Sequence, residues 1–170
     1  MTSPDPAGIR VRPAAPADGP RIIELDRELA RFERLRGPDD EEAGRLLAWI
    51  FDDRKLEALV AERGGRVEGV ALFWQGLGSS FRARTFLYLE DLLVSAEARG
   101  RGIGEALMAA LAREGVARGA IRIDWAVLDW NEGAMRFYRR LGAREQTEWL
   151  RYTLEEDAMK ALASTSPASR

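Results

Sequence analysis

Phe86-Leu87-Tyr88-Leu89-Glu90-Asp91-Leu92-Leu93-Val94 is followed, four residues on, by Arg99-Gly100-Arg101-Gly102-Ile103-Gly104. Ile103, Leu107, Ala110 and Leu111 then recur at helical spacing. A strand, a glycine turn carrying two arginines, and a helix therefore come in order. Glycine lets the backbone pass close to a ligand, and the free N–H groups of a first helical turn (Ile103, Gly104 and Glu105 here) attract anions. Arg99 and Arg101 add planar donors that match phosphate oxygens. The stretch reads as a phosphate cradle. It lacks the Gly-Lys-Ser/Thr ending of a nucleoside-triphosphate loop. It also lacks the third glycine of a dinucleotide fingerprint, since Glu105 or Leu107 stands there.

The 170 residues suit a single domain at 9–162, with loose ends expected at 1–8 and 163–170. Lys and Arg number 26 against 28 Asp and Glu, so no basic excess points to nucleic acid. Cysteine and histidine are both absent. That removes disulfides, a thiol nucleophile, zinc-thiolate sites and the commonest general base, and no metal is expected. Acid–base chemistry falls to carboxylates, tyrosine, lysine or water. No apolar run is long enough for a membrane span, and the first residues do not read as a signal peptide, so a cytoplasmic location is expected.

Outward from the cradle, Ile9–Arg12 alternates as a strand and Pro16–Leu35 reads as a helix. A second helix opens at Asp39-Asp40. Leu56–Glu62 and Val67–Trp74 form a hairpin around Gly64-Gly65. Residues 75–84 read as a loop, Gly102–Arg118 as the long helix, and Ile121–Val127 as a strand. Asn131–Leu141 is a helix stopped by Gly142, Glu145–Thr153 gives one or two closing strands, and Glu155–Ala161 a last helical turn. The order predicts an α/β (α+β) fold with a mixed, mostly antiparallel sheet flanked by helices.

Arg99, Gly102 and Gly104 meet the pattern Arg/Gln-x-x-Gly-x-Gly/Ala, and here the chain resembles the GNAT superfamily of N-acetyltransferases. Tyr88-Leu89-Glu90-Asp91, Asp124–Glu132 and Arg136-Phe137-Tyr138-Arg139-Arg140-Leu141-Gly142 resemble its diamine (spermidine/spermine) acetyltransferase branch. Ile9–Ala14 and Glu28–Glu33 fit the same branch, so the likeness spans roughly residues 9–155. Two departures stand out. Residues 76–81 lack the tryptophan that relatives often carry, and Thr147-Glu148-Trp149 keeps part of the closing motif.

The resemblance implies acetyl-CoA as cosubstrate, a primary amine of a small molecule (polyamine, diamine or lysine-like) as acceptor, and direct attack in a ternary complex. Leu92, Leu93, Val94, Arg99, Gly100, Arg101, Gly102, Ile103, Gly104, Glu105 and Asn131 are the expected cofactor residues. Glu90 is the expected base, Tyr138 the acid beside the sulfur, and Phe32, Glu33 and Glu90 the acceptor-binding set. Strict alternation puts Glu90 and Asp91 on opposite faces of their strand, with Asp91 expected to pair with an arginine. Asn131 is a candidate helix cap, with Asp129 as its rival through capping-box spacing to Glu132. A homodimer is also implied, with Glu145–Thr153 near the seam. The alternative is an acyl-CoA-binding sensor that does not turn over.

Overall fold

The computed structural model describes residues 8–79, 81–148 and 150–165. Most of the expected loose ends, together with Ser80 and Trp149, lie outside them. The chain falls into two compact units, Met1–Ala126 and Val127–Arg170.

The first unit holds one sheet of five strands in the order β1 (Ile9–Pro13), β2 (Glu57–Arg63), β3 (Arg66–Ser79), β4 (Arg84–Val94) and β5 (Ile123–Asp124). Every pairing is antiparallel except β4 with β5, which is parallel. The mixed, mostly antiparallel α/β architecture is as the sequence predicts. Gly64 and Gly65, at φ +60° and +80°, make the two-residue turn between β2 and β3. Beyond it, β3 runs past its expected end at Trp74, so the expected loop at 75–84 is largely strand. Bare Gly76 allows this: a Cβ there would stand 2.5 Å from the Phe86 ring. Trp74 packs on Tyr88 with ring centroids 5.2 Å apart, and on Phe86 at 5.8 Å.

Helix α1 (Gly19–Phe32) follows a single 3-10 turn at Pro16–Asp18 and ends before its expected limit, where Arg34 turns to φ +61°. Helix α2 (Asp40–Phe51) opens on a reciprocal cap, Glu42 N–H to Asp39 Oδ1 and Asp39 N–H to Glu42 Oε2, both 2.9 Å. Ile22 and Leu25 of α1 and Ile50 of α2 bury against Val60, Val70, Leu72 and Leu93 of the sheet. Helix α3 (Ile103–Ala117) covers a different surface. Ile103 and Leu107 close on Gly69, and Leu87 lies beside Gly115.

Leu87 and Leu93 have the same parity in β4 yet serve these two different packings. The register explains it: Phe73 pairs with Leu89 and Leu72 with Asp91, leaving Glu90 unpaired as a bulge. The extra residue reverses the alternation. Glu90 and Asp91 therefore both look towards the α1–α2 face, correcting the expectation that they point apart. β5 is also shorter than Ile121–Val127. It pairs only through Leu87 with Ile123 and Tyr88 with Asp124, ending just before the bulge bends β4.

The second unit holds α4 (Glu132–Arg140) and α5 (Glu156–Ala163). Asn131 caps α4, its Oδ1 accepting the Ala134 N–H at 3.1 Å, so Asp129 does not. Gly142, at φ +88°, ends the turn after it. The expected closing strands at Glu145–Thr153 do not form among the described residues. A strand needs a neighbour for its backbone groups, and this segment pairs with none there.

Candidate active site

Gly69 brings the glycine loop to its place. A Cβ on it would stand 2.7 Å from Ile103 Cγ2 and 2.9 Å from the Leu93 carbonyl oxygen, so β3 touches the first turn of α3 directly. Gly100 and Gly102 adopt φ +73° and +83°, a region open to glycine at little cost. Gly102 takes the N-cap position and supplies no side-chain cap. The first helical bond runs from Ala106 N–H to Gly102 O at 2.9 Å. The amides of Ile103, Gly104 and Glu105 thus precede the helical ladder and sum with the helix dipole. Arg99 and Arg101 are exposed on either side of Gly100.

Among the described residues, no strand pairs with the end of β4 along one edge. Ser95 N–H donates to Glu68 O at 2.9 Å on the β3 side, while Leu87 N–H donates to Arg122 O on the β5 side. Alternation back from Ser95 turns Leu93 towards β3 and leaves the Leu92 and Val94 amides facing away from it. Strand β5 has already stopped pairing there. Of the three expected amides, Leu92 and Val94 line the gap and Leu93 does not.

The bulge delivers Asp91 to a cavity of about 330 Å³ lined by Asp26, Leu29, Glu33, Arg36 and Glu42, among others, while Glu90 stays outside that lining. Glu90 is exposed and accepts the Trp74 Nε1–H at 3.1 Å. Asp91 has no cationic partner within ion-pair distance among the described residues, contrary to the expected arginine. Burial raises its pKa to about 7, and the charges of Asp26, Glu90 and Glu33 add to the rise. Asp26 is raised by burial against an opposing Arg27, and Glu33 by burial and then by Asp26. A cation entering this cavity would relieve all three.

Phe32 and Glu33, expected as a pair, separate. Glu33 lines the acidic cavity, whereas Phe32 carries the Arg99 guanidinium over its ring at 5.3 Å. Glu90, Asp91, Leu92, Val94, Arg99 and the glycine loop all belong to the first unit. Asn131 and Tyr138 belong to the second. Tyr138 is half-buried on α4, its ring 5.1 Å from that of Phe137.

An uncapped glycine N-terminus of this kind attracts an anion. The model of the acetyltransferase (GNAT) family matches residues 20–143. The chain belongs to that family. It is 34% identical over 169 residues to a thialysine N-epsilon-acetyltransferase of Mus musculus, covering 92% of this chain and 98% of that one. It is 36% identical over 96 residues to an L-ornithine N5-acetyltransferase of Arabidopsis thaliana, covering 56% and 42% respectively. An integron cassette protein from the mobile metagenome of Vibrio cholerae shares the fold, with TM-score 0.80 at 23% identity over 93% of this chain and 99% of that one. This GNAT protein is therefore an acetyltransferase of the diamine-acetyltransferase-like branch.

Residues that the motifs did not single out also meet here. Asp26 sits seven residues before Glu33 on one face of α1, among Ile22, Ile23 and Leu29. A carboxylate inside an apolar helical stripe was the available signal. Trp74 and the approach of Asp91 to α1 were not readable, because both depend on the bulge.

Proposed function

We propose that this acetyltransferase moves the acetyl group of acetyl-CoA to a primary amine of a small molecule that carries a further positive charge, such as a diamine or a lysine-like amino acid. The observation that carries the reading is the end of β4. There the open amides of Leu92 and Val94 lie in sequence between the anion-binding turn and the carboxylates of the acidic cavity. The thialysine and ornithine acetyltransferases among its relatives support an acceptor of this chemistry.

The pyrophosphate would rest on the amides of Ile103, Gly104 and Glu105, with Gly100 and Gly102 giving room and Arg99 and Arg101 adding charge. The thioester oxygen would take hydrogen bonds from Leu92 and Val94, which strengthen as it becomes an oxyanion. The acceptor would arrive as an ammonium held by Asp91, Asp26 and Glu33, and lose its proton to Glu90, directly or through water. Its nitrogen lone pair then forms the bond to the acetyl carbon. Collapse of the tetrahedral adduct breaks the carbon–sulfur bond, the Tyr138 hydroxyl gives the departing thiolate a proton, and the adduct nitrogen releases its second proton to water, from which Tyr138 is reprotonated. Asn131 is assigned to the pantetheine arm, and Phe32 to the border between acceptor and cofactor. Residues 9–162 act as one functional domain in this reading, in the cytoplasm and as a homodimer.

The direct test is turnover of acetyl-CoA across a panel of amines, followed by thiol release and by the mass of the product. Acetylation of diamines or basic amino acids in preference to monoamines is the expected result. No release of thiol with any amine would return the protein to the sensor reading.

A further inference from the structure

A second cavity, of about 410 Å³, opens beside the glycine turn and is lined by Arg21, Arg31, Phe32, Arg66 and Arg99, with Glu28, Ser95 and Glu97 also on its wall. Its four guanidinium groups come from three parts of the fold: α1, the start of β3, and the β4–α3 turn. Arg21 is paired with Glu24 at 2.8 Å and donates to the Val67 carbonyl at 3.0 Å, but the acids present do not neutralise the other three. Glu28 lies 3.7 Å from Arg21, and Glu97, 87% exposed, is 3.9 Å from Arg66. Arg31 and Arg99 have no acidic partner among the described residues, and Arg99 donates only to the Val94 carbonyl at 3.3 Å. Arg21 Nη2 is buried without a hydrogen bond, 3.7 Å from Glu68. Ser95 and Glu68 are already joined, Oγ to Oε2 at 2.6 Å.

We infer that this cavity binds a phosphate monoester, and that the group it takes is the 3′-phosphate of coenzyme A. A phosphate monoester is close to a dianion at neutral pH and offers three acceptor oxygens to forked donors. Arg99 ties the cavity to the cofactor, since it both precedes Gly100 and lies over the Phe32 ring. In coenzyme A one ribose bears both the diphosphate and the 3′-phosphate. A diphosphate seated on the glycine turn therefore leaves its second phosphate within a ribose's width of Arg99. The inference rests on the acetyl-CoA reading above. It adds that the protein tells coenzyme A from its 3′-dephospho form.

Calorimetry with coenzyme A and with 3′-dephospho-coenzyme A tests this on the wild type, on Arg31→Gln and on Arg31→Gln/Arg66→Gln. Wild type should prefer coenzyme A by about tenfold or more, the single variant should lose much of that preference, and the double variant nearly all of it. Affinity for the dephospho form should stay constant throughout. Inorganic phosphate should weaken coenzyme A binding and leave the dephospho form untouched. Equal affinity of wild type for the two cofactors, or equal weakening of both by the substitutions, would overturn the inference. So would inorganic phosphate that binds without disturbing either cofactor, which would mark a site for free anion instead. Failure of both cofactors to bind the wild type would overturn the acetyl-CoA reading itself.

Discussion

Glu90 and Asp91 are adjacent, share a face and carry different burdens. Glu90 is exposed and held by Trp74, whereas Asp91 is half-buried among other acids, its pKa raised to about 7. Glu90→Gln keeps the shape and hydrogen-bonding reach of the side chain but cannot take a proton. We expect kcat/KM near neutral pH to fall by roughly a hundredfold or more, with partial recovery as alkaline buffer deprotonates the amine. A pH–rate profile superimposable on wild type would leave Glu90 without a role as base. Asp91 predicts a change in stability instead. The unfolded carboxyl titrates near 3.9 and the folded one about 7, so between these values only the native state keeps the proton. Stability therefore falls as pH rises from about 4 to 7, by at most about 4 kcal/mol at 1.4 kcal/mol per tenfold in proton affinity. Asp91→Asn should melt higher than wild type at pH 8 and show little difference at pH 4. An equal change in Tm at both pH values would contradict this. Tyr138→Phe removes one hydroxyl, and kcat should drop roughly ten- to a thousandfold with cofactor affinity unchanged. Stopped-flow thiol release paired with calorimetry separates the two quantities.

The elements that meet at the site are held by very small side chains. Gly69→Val would place branched carbons where Ile103 Cγ2 and the Leu93 carbonyl now stand, pushing the first turn of α3 away from β3. We expect a loss of about 1–3 kcal/mol in stability, the scale of an overpacked core, and weaker coenzyme A binding. Gly102→Asp differs, because the nearest atom to a Cβ there is Ile9 Cδ1 at 3.7 Å, and the cost is mainly the positive φ and an anion beside the pyrophosphate. It should abolish cofactor binding while the protein still unfolds cooperatively, as denaturant melts and calorimetry would show. The strand, turn and helix around Gly102 were legible because each announces itself within a few residues: apolar run, glycines, helical spacing. The bulge was not legible. It arises from how ten pairs of β3 and β4 fit across the sheet, and nothing between Leu89 and Asp91 marks which residue goes unpaired. With it went the common face of the two carboxylates, the approach of Asp91 to Asp26, and the short reach of β5. The length of β3 was hidden for a related reason, since Gly76 reads as a loop residue until Phe86 is seen to need its space.

At the scale of the molecule, the segment from Ala143 to Glu155 presents an unfinished surface. Among the described residues it forms no strand, although Leu150-Arg151-Tyr152-Thr153-Leu154 alternates as one would, and Leu150 and Tyr152 are 79% and 89% exposed. Leu154 is exposed as well, and α5 buries none of its apolar residues. An extended chain with unpaired backbone groups and apolar side chains in water is stabilised by adding to another sheet. A second copy of the same protein offers that addition with closed symmetry. Light scattering on the wild type at micromolar concentration should therefore return the mass of two chains. Leu150→Glu with Tyr152→Glu should return one chain, because two desolvated carboxylates cannot be accommodated in the seam. The first unit, with its own core, should keep its secondary structure in that variant by circular dichroism. A wild-type mass of one chain would dismiss the dimer. A two-chain mass that survives both substitutions would move the seam away from this segment, and the exposed residues from Leu150 to Leu154 would then need another partner.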